Sequence, residues 1–206
     1  MAKNKKSRPK TWYGKLWHFI WHEDSVLSWM VNIILAILII KFIIYPGLGL
    51  IFGTNYPIVA VVSNSMDHKG EDFDSWWSEN KAFYIEKGIT KEMFEEYSFK
   101  DGFNRGDLMV LHGITQDEIK KGQVVVFISK KSYPIIHRVV DVHETTFETK
   151  GDANKMQITP PFDNQLNEKA VPYDAVVGKA VLRIPLVGYV KILAAEFLGL
   201  FGINIG

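Results

Sequence analysis

The chain contains no cysteine. Disulfides, zinc–thiolate centres and a thiol nucleophile are therefore excluded, and thiol usage says nothing about the redox compartment. No internal repeat and no low-complexity segment is present, which argues against solenoids, propellers and tethering linkers. Among His112, His137 and His143 there is no HxxH-type pair and no carboxylate at ligand spacing, so neither a metal nor a cofactor is expected. Acidic residues are missing from positions 1–22, which hold Lys3, Lys5, Lys6, Arg8, Lys10 and Lys15. The whole chain is only +1, so everything beyond that tail is net negative. With 206 residues, the chain has room for one membrane anchor and one domain of ordinary size.

Long apolar runs are scarce as well, and the exception is informative. Residues 26–52 read VLSWMVNIILAILIIKFIIYPGLGLIF, with Lys41 as the only charge. About 20 apolar residues cross a bilayer as a helix, and this run is longer. Lys41 can snorkel towards an interface, where Trp29 and Tyr45 also suit the aromatic belt. Cations collect on the cytoplasmic side, so the basic tail predicts an N-terminus inside and the bulk of the chain outside. The same rule makes topology a simpler cause of the basic tail than nucleic-acid binding. A cleaved leader would need a shorter basic region, a shorter apolar run and a small-x-small cleavage site. The C-terminal IPLVGYVKILAAEFLGLFGINIG is also apolar but is broken by Lys191, Glu196 and several glycines. It fits a second span, an interfacial helix or a docking segment.

Between these segments the apolar runs are short, rich in Val and Ile, and bounded by Gly, Pro, Asp or Lys. PIVAVV (57–62), LMVL (108–111), QVVVFI (123–128), IIHRVVDV (135–142), TTFETK (145–150) and AVVGKAVLR (175–183) read as strands. No helix-length segment alternates with them, so the expectation is a mainly β domain without βαβ units. The predicted organisation is a basic cytoplasmic tail (1–25), a transmembrane anchor (26–53), an extracytoplasmic β domain (54–185) and the apolar C-terminal segment (186–206). Residues 67–104 interrupt the β domain with nine aromatic residues and two short helical patterns, one starting at Asp74 and ending at Gly88, the other starting at Thr90. Such an insertion builds either a small satellite core or an exposed aromatic docking surface.

Chemistry concentrates around SNSMDH (63–68), directly after the first strand. A serine nucleophile needs a base at neutral pH. His68, His112, His137, His143 and several lysines are candidates, and spacing alone does not choose among them. Alternation puts Ile135, His137 and Val139 on one face of their strand, and Ile136, Arg138 and Val140 on the other. A two-residue turn at 143–144 would set His137 opposite Lys150 and bring Asp152 within a diagonal step, where a carboxylate can orient an imidazole.

Taken in order, these segments resemble type I signal peptidases, specifically the archaeal and endoplasmic-reticulum branch. SNSM (63–66) resembles the nucleophile box S-x-S-M, and RGDLMVL (105–111) the G-D-hydrophobic box. IIHRVV (135–140) resembles the general-base box, TKGDAN (149–154) the T-K-G-D-x-N box, and VVGKAVLRIPLVGYV (176–190) the closing strand. The resemblance covers about residues 57–190. It implies a signal-peptidase-like β catalytic domain on an N-terminal transmembrane helix, with Ser65 as nucleophile, His137 as base and Ser63 assisting the oxyanion. The implied activity is a membrane-bound serine endopeptidase that removes signal peptides from translocated preproteins through an acyl-enzyme. Its partners would be signal peptides, membrane lipid and, as a candidate, the translocation channel; no nucleic acid is implied. The competing reading is an anchored, non-enzymatic β domain that binds a partner through its aromatic insertion.

Three departures from the family pattern matter. His68 stands where proline is common. The insertion is long. Ile158 occupies the position six residues after the box aspartate, where the endoplasmic-reticulum branch has a second aspartate resembling a relay acid. Asp163 is expected to take the relay role if its loop folds back, with Asp152 as a second essential acid. Ser65 follows the apolar run by about a dozen residues, at most roughly 40 Å of extended chain, which suits a cleavage site just beyond a membrane-embedded signal core. Val61, Val62 and residues 135–140 are candidate walls for an extended peptide bound by strand addition.

Overall fold

The apolar run begins at Ser25, whose hydroxyl accepts the Ser28 N–H at 3.2 Å and so caps the helix that follows. A computed structural model describes residues 11–131, 133–189 and 192–193, and the chain divides into two units, residues 1–48 and 49–206. Residues 1–10 of the basic tail, and residues 190–191 and 194–206 of the apolar C-terminal segment, lie outside the described residues.

In the first unit, the tail is not featureless. Trp12–His22 form helix α1, with Lys15, His18 and His22 at spacings of three and four on one side. Trp12, Tyr13, Trp17 and Trp21 are exposed. The last carbonyls of α1 lack partners within their own helix. Side chains of the next helix supply them: Ser28 Oγ donates to Phe19 O at 2.6 Å, and Asn32 Nδ2 donates to Ile20 O at 2.9 Å. Helix α2 (Val26–Ile39) continues through a π turn (Ile40–Ile44) into α3 (Tyr45–Phe52). The wide turn falls just before Pro46, which has no N–H to donate, and the Tyr45 N–H reaches back to Ile40 O. The continuous helix Val26–Phe52 has 27 residues, a mean hydropathy of 2.5 and little burial. At 1.5 Å per residue it is about 40 Å long, enough to cross a hydrocarbon core of about 30 Å.

The second unit is built on a seven-stranded antiparallel sheet. Its strands are β1 (Ile58–Ala60), β2 (Leu108–His112), β3 (Val124–Phe127), β4 (Ile135–Val142), β5 (Thr146–Lys150), β6 (Val171–Pro172) and β7 (Val176–Ile184). Their order is β1-β2-β7-β3-β4-β5-β6. The expected mainly β architecture is observed; β6, a two-residue edge strand, has no signature in the sequence. Alternate side chains of β3 and β4 enter different cores. Val124, Val126 and Ile136 pack with Val61, Met66, Phe103, Met109 and Leu111. Val125, Phe127, Ile135 and Val139 pack with Phe147, Leu166 and Val171. Both faces of the central strands are covered, so VVVF reads as an unbroken apolar run instead of an alternation.

The β4–β5 hairpin departs from the expected register. His143 N–H bonds Thr146 O, so the tight loop is Glu144–Thr145, one residue later than expected. A bulge between Val139 and Asp141 then shifts the pairing again, and Lys150 faces Arg138 instead of His137. A slip of one residue exchanges faces, which is why the diagonal placement of Asp152 beside His137 does not arise.

The insertion folds as helices α4 (Phe73–Glu86) and α5 (Lys91–Glu95). Asp72, not Asp74, caps α4 by accepting the Ser75 N–H at 3.0 Å, while Asp74 sits in the first turn. Thr90 caps α5 as expected. Phe73, Trp76, Trp77, Tyr84 and Phe94 are buried together with Ile89 and with Val140 of β4. The insertion is therefore a satellite core laid on β4, and these rings offer no exposed docking face.

Candidate active site

Ser65 lies in the loop after β1. That loop is fastened by its backbone. Phe103 N–H donates to Met66 O at 3.0 Å, Ala153 N–H donates to Ser65 O at 2.8 Å, and Asp152 N–H contacts Met66 Sδ at 3.3 Å. Met66 itself is fully buried, plugging the loop into the core. Two glycines make the close approaches feasible. Gly102 has φ +68°, and a Cβ there would stand 2.3 Å from Met66 O. A Cβ on Gly151 would stand 2.7 Å from Ser65 O and 2.9 Å from His137 Nε2.

His137 comes from β4, paired with Val125 of β3. Its Nε2 is 2.9 Å from Ser65 Oγ, and the residue is 4% exposed. Ser63 Oγ is 3.1 Å from Ser65 Oγ on the outer side. The structure thus brings Ser65, His137 and Ser63 into one cluster, as the sequence suggests. The other candidate histidines have different partners: His112 bonds Gly113 O, His143 bonds Glu148, and His68 stacks on Trp76 with ring centroids 3.9 Å apart.

The carboxylate on His137 is neither of the expected aspartates. Glu168 Oε1 is 2.5 Å from His137 Nδ1. Glu168 is completely buried and further held by the Thr149 hydroxyl at 3.2 Å and the Ile158 N–H at 2.7 Å. Its own N–H returns to Ile158 O at 2.9 Å. Ile158 is the position where the resemblance places a relay aspartate. Here that backbone grips a glutamate arriving from the next segment, ten residues on. Asp163 is instead paired with Lys131 Nζ at 2.5 Å, and that hydrogen bond holds its carboxyl below the ordinary range. Its loop does not fold back onto His137; Glu168 takes that place.

Asp152 is close to the Ser65 loop but faces away from the imidazole. It takes a fork of bonds from Arg138, Nε at 3.0 Å and Nη2 at 2.7 Å, and one from Tyr84 OH at 2.9 Å. Burial pushes its carboxyl up, but the Arg138 guanidinium outweighs this and holds it far below the carboxylate range. Burial raises the Tyr84 hydroxyl, with Asp152 adding to the rise. Burial also lowers Lys150 to about 8, against the pull of Asp152 and Glu168. Arg138, Tyr84 and Glu168 escaped the sequence reading. Only Arg138 carried a signal, as a cation inside an apolar strand.

Asp141, His143 and Glu148 also cluster, with ligand atoms within 4.8 Å of one another. Lys87 and Lys121 already supply positive charge there, at 2.6 Å from Glu148 and 2.9 Å from Asp141. The group is an ion-pair network.

Chemically, a hydroxyl beside an imidazole that can take its proton, with a buried carboxylate orienting that imidazole, is an arrangement suited to acyl transfer. No protein-family model matches the chain. It is 34% identical over 122 residues to the signal peptidase complex catalytic subunit SEC11 of Candida dubliniensis, covering 52% of this chain and 70% of that protein. It is 30% identical over 163 residues to the signal peptidase complex catalytic subunit SEC11C of Homo sapiens, covering 75% of this chain and 65% of the relative. To the corresponding subunit of Scheffersomyces stipitis it is 29% identical over 163 residues, covering 75% of each. The chain thus spans about 65% of the length of the human relative it matches.

Proposed function

The chain belongs to the type I signal peptidases, with the catalytic subunits of signal peptidase complexes as relatives, and from that premise we propose that it is a membrane-bound serine endopeptidase cleaving signal peptides from translocated preproteins. The observation that carries this reading is the series Ser65 Oγ–His137 Nε2 at 2.9 Å and His137 Nδ1–Glu168 at 2.5 Å.

Ser65 attacks the scissile carbonyl as His137 Nε2 takes its proton. The oxyanion is held by the Ser65 N–H and the Ser63 hydroxyl. His137 then passes the proton to the departing amine, leaving the signal peptide as an ester on Ser65. A water, deprotonated by the same imidazole, hydrolyses the ester and restores the serine. Glu168 keeps Nδ1 protonated and stabilises the imidazolium at both steps, without itself taking up the proton. The helix Val26–Phe52 anchors the chain, with the N-terminus cytoplasmic and the β domain outside. Signal peptides are the substrates, membrane lipid surrounds the anchor, and the translocation channel is a candidate neighbour.

The test is processing of a preprotein by the full chain in membranes. Ser65→Ala and His137→Ala each abolish cleavage. Full activity in either variant removes the assignment.

A further inference from the structure

The long aromatic insertion is unabsorbed by the chemistry above, yet it meets the active site from behind. We propose that it is a positioning element for the nucleophile, in which Tyr84 and His68 hold the Asp152 turn on which the Ser65 backbone rests. The inference rests on the Ser65–His137 reading of the site.

Residues 150–153 lie between the insertion and the nucleophile loop. On the nucleophile side, the Ala153 N–H holds Ser65 O at 2.8 Å and the Asp152 N–H faces Met66 Sδ at 3.3 Å. On the insertion side, Tyr84 OH donates to Asp152 Oδ1 at 2.9 Å. His68 Nε2 lies 3.5 Å from Asp152 Oδ2, and its ring is clamped flat against Trp76, 3.9 Å between centroids and 4° between planes. The insertion also encloses the neighbouring charges. The Lys150 ammonium lies 4.8 Å from the Tyr84 ring centroid and 5.2 Å from that of Phe83, and donates to Gly151 O at 3.1 Å. The Arg138 guanidinium lies 4.5 Å from the Phe94 ring centroid and donates to Ser98 O and Phe99 O.

The consequence is mechanical. Three buried charges, Arg138, Lys150 and Asp152, fix the turn only while every bond to them is made, because an unmatched buried polar group relaxes towards other partners. Removing the Tyr84 hydroxyl leaves Asp152 Oδ1 with only the Arg138 Nε bond at 3.0 Å. The turn then loosens, and Ser65 with it. His68 reinforces the link because it belongs to the nucleophile loop and packs on the insertion at once. Tyr84 and His68 touch no reacting atom; they act through the Ser65 backbone.

The absence of cysteine allows a test that does not depend on proteolysis. In the full chain carrying Ser65→Cys, the introduced thiol is the only one, and its alkylation by iodoacetamide against pH reports its apparent pKa. Pairing with His137 lowers that pKa below that of a free thiol, and adding His137→Ala raises it. Adding Tyr84→Phe, which keeps the ring, raises it by about half a unit or more, moving the alkylation profile to higher pH by that amount. Phe73→Leu, which thins the same aromatic core but removes no polar contact to Asp152, lowers the melting temperature and leaves the profile in place. The proposal is overturned if the Tyr84→Phe profile coincides with that of the parent, or if Phe73→Leu moves the profile equally. If His137→Ala leaves the profile unchanged, the Ser–His pairing itself falls, and the proposal with it.

Discussion

His137 Nδ1 and Glu168 Oε1 meet at 2.5 Å, joining a strand residue to one 31 positions further along the chain. Glu168 is wholly buried and held by Thr149 and Ile158. An imidazole so held presents Nε2 as the free base. Glu168→Gln preserves volume but offers the amide in place of the carboxylate. The expected loss is about 10²- to 10⁴-fold in kcat, as for triad acids elsewhere, with little change in KM. Asp163→Ala keeps activity within about twofold, because that carboxylate serves Lys131 at the surface. Steady-state kinetics on a signal-peptide substrate separates the two variants.

Gly151 has room for hydrogen and nothing more. A methyl there would stand 2.7 Å from Ser65 O, 2.8 Å from Asn154 Nδ2 and 2.9 Å from His137 Nε2. Gly151→Ala therefore pushes Ser65 and His137 apart. A misplacement of about 1 Å costs about 10²-fold in rate, so kcat falls by that order while the chain still folds. Circular dichroism with the kinetic assay checks both halves.

Asp152 sets an acid limit on stability. Its folded pKa lies below the unfolded value, so the stability it contributes is complete above about pH 4 and is lost as pH falls below that value towards the folded pKa. Asp152→Asn removes this dependence. It also breaks the buried pair with Arg138, at a cost of about 3–5 kcal/mol at neutral pH. Melting temperatures between pH 3 and 7 are the measurement. The wild type loses stability steeply at the acid end, and the variant starts lower with a shallower slope.

Ser63 is exposed, with its hydroxyl 3.1 Å from Ser65 Oγ. An oxyanion donor at this place contributes to the transition state and not to the nucleophile itself. Ser63→Ala therefore lowers kcat by about 10- to 10³-fold but leaves measurable cleavage, unlike Ser65→Ala. Burst kinetics at equal enzyme concentration distinguishes slowed acylation from an absent nucleophile.

The parts of the fold legible in the sequence were those with local patterns. IIHRVVDV matches β4 residue for residue, and the cap at Thr90 matches α5. The Ser65–His137 pair was legible through the ordered boxes around it. The acid was not. Glu168 sits in an ordinary polar segment, LNEKA, and becomes the histidine's partner only because the Ile158 backbone receives it across a loop. No periodicity encodes that meeting. The hairpin register failed for a similar reason. A turn one residue later moves the pairing by two positions and keeps the faces, whereas the bulge at Val139–Asp141 moves it back by one and exchanges them; neither leaves a composition signal. The insertion was legible as aromatic-rich, but its burial depended on an uncovered face of β4 that the sequence alone does not display.

The most direct test is the cleavage of a preprotein by the full chain reconstituted in lipid vesicles, comparing wild type with Ser65→Ala, His137→Ala and Glu168→Gln. The Ser65–His137–Glu168 account gives one cut at the end of the signal sequence for wild type, none for the first two variants and a severely slowed cut for the third. Wild-type rates from Ser65→Ala or from Glu168→Gln would contradict it.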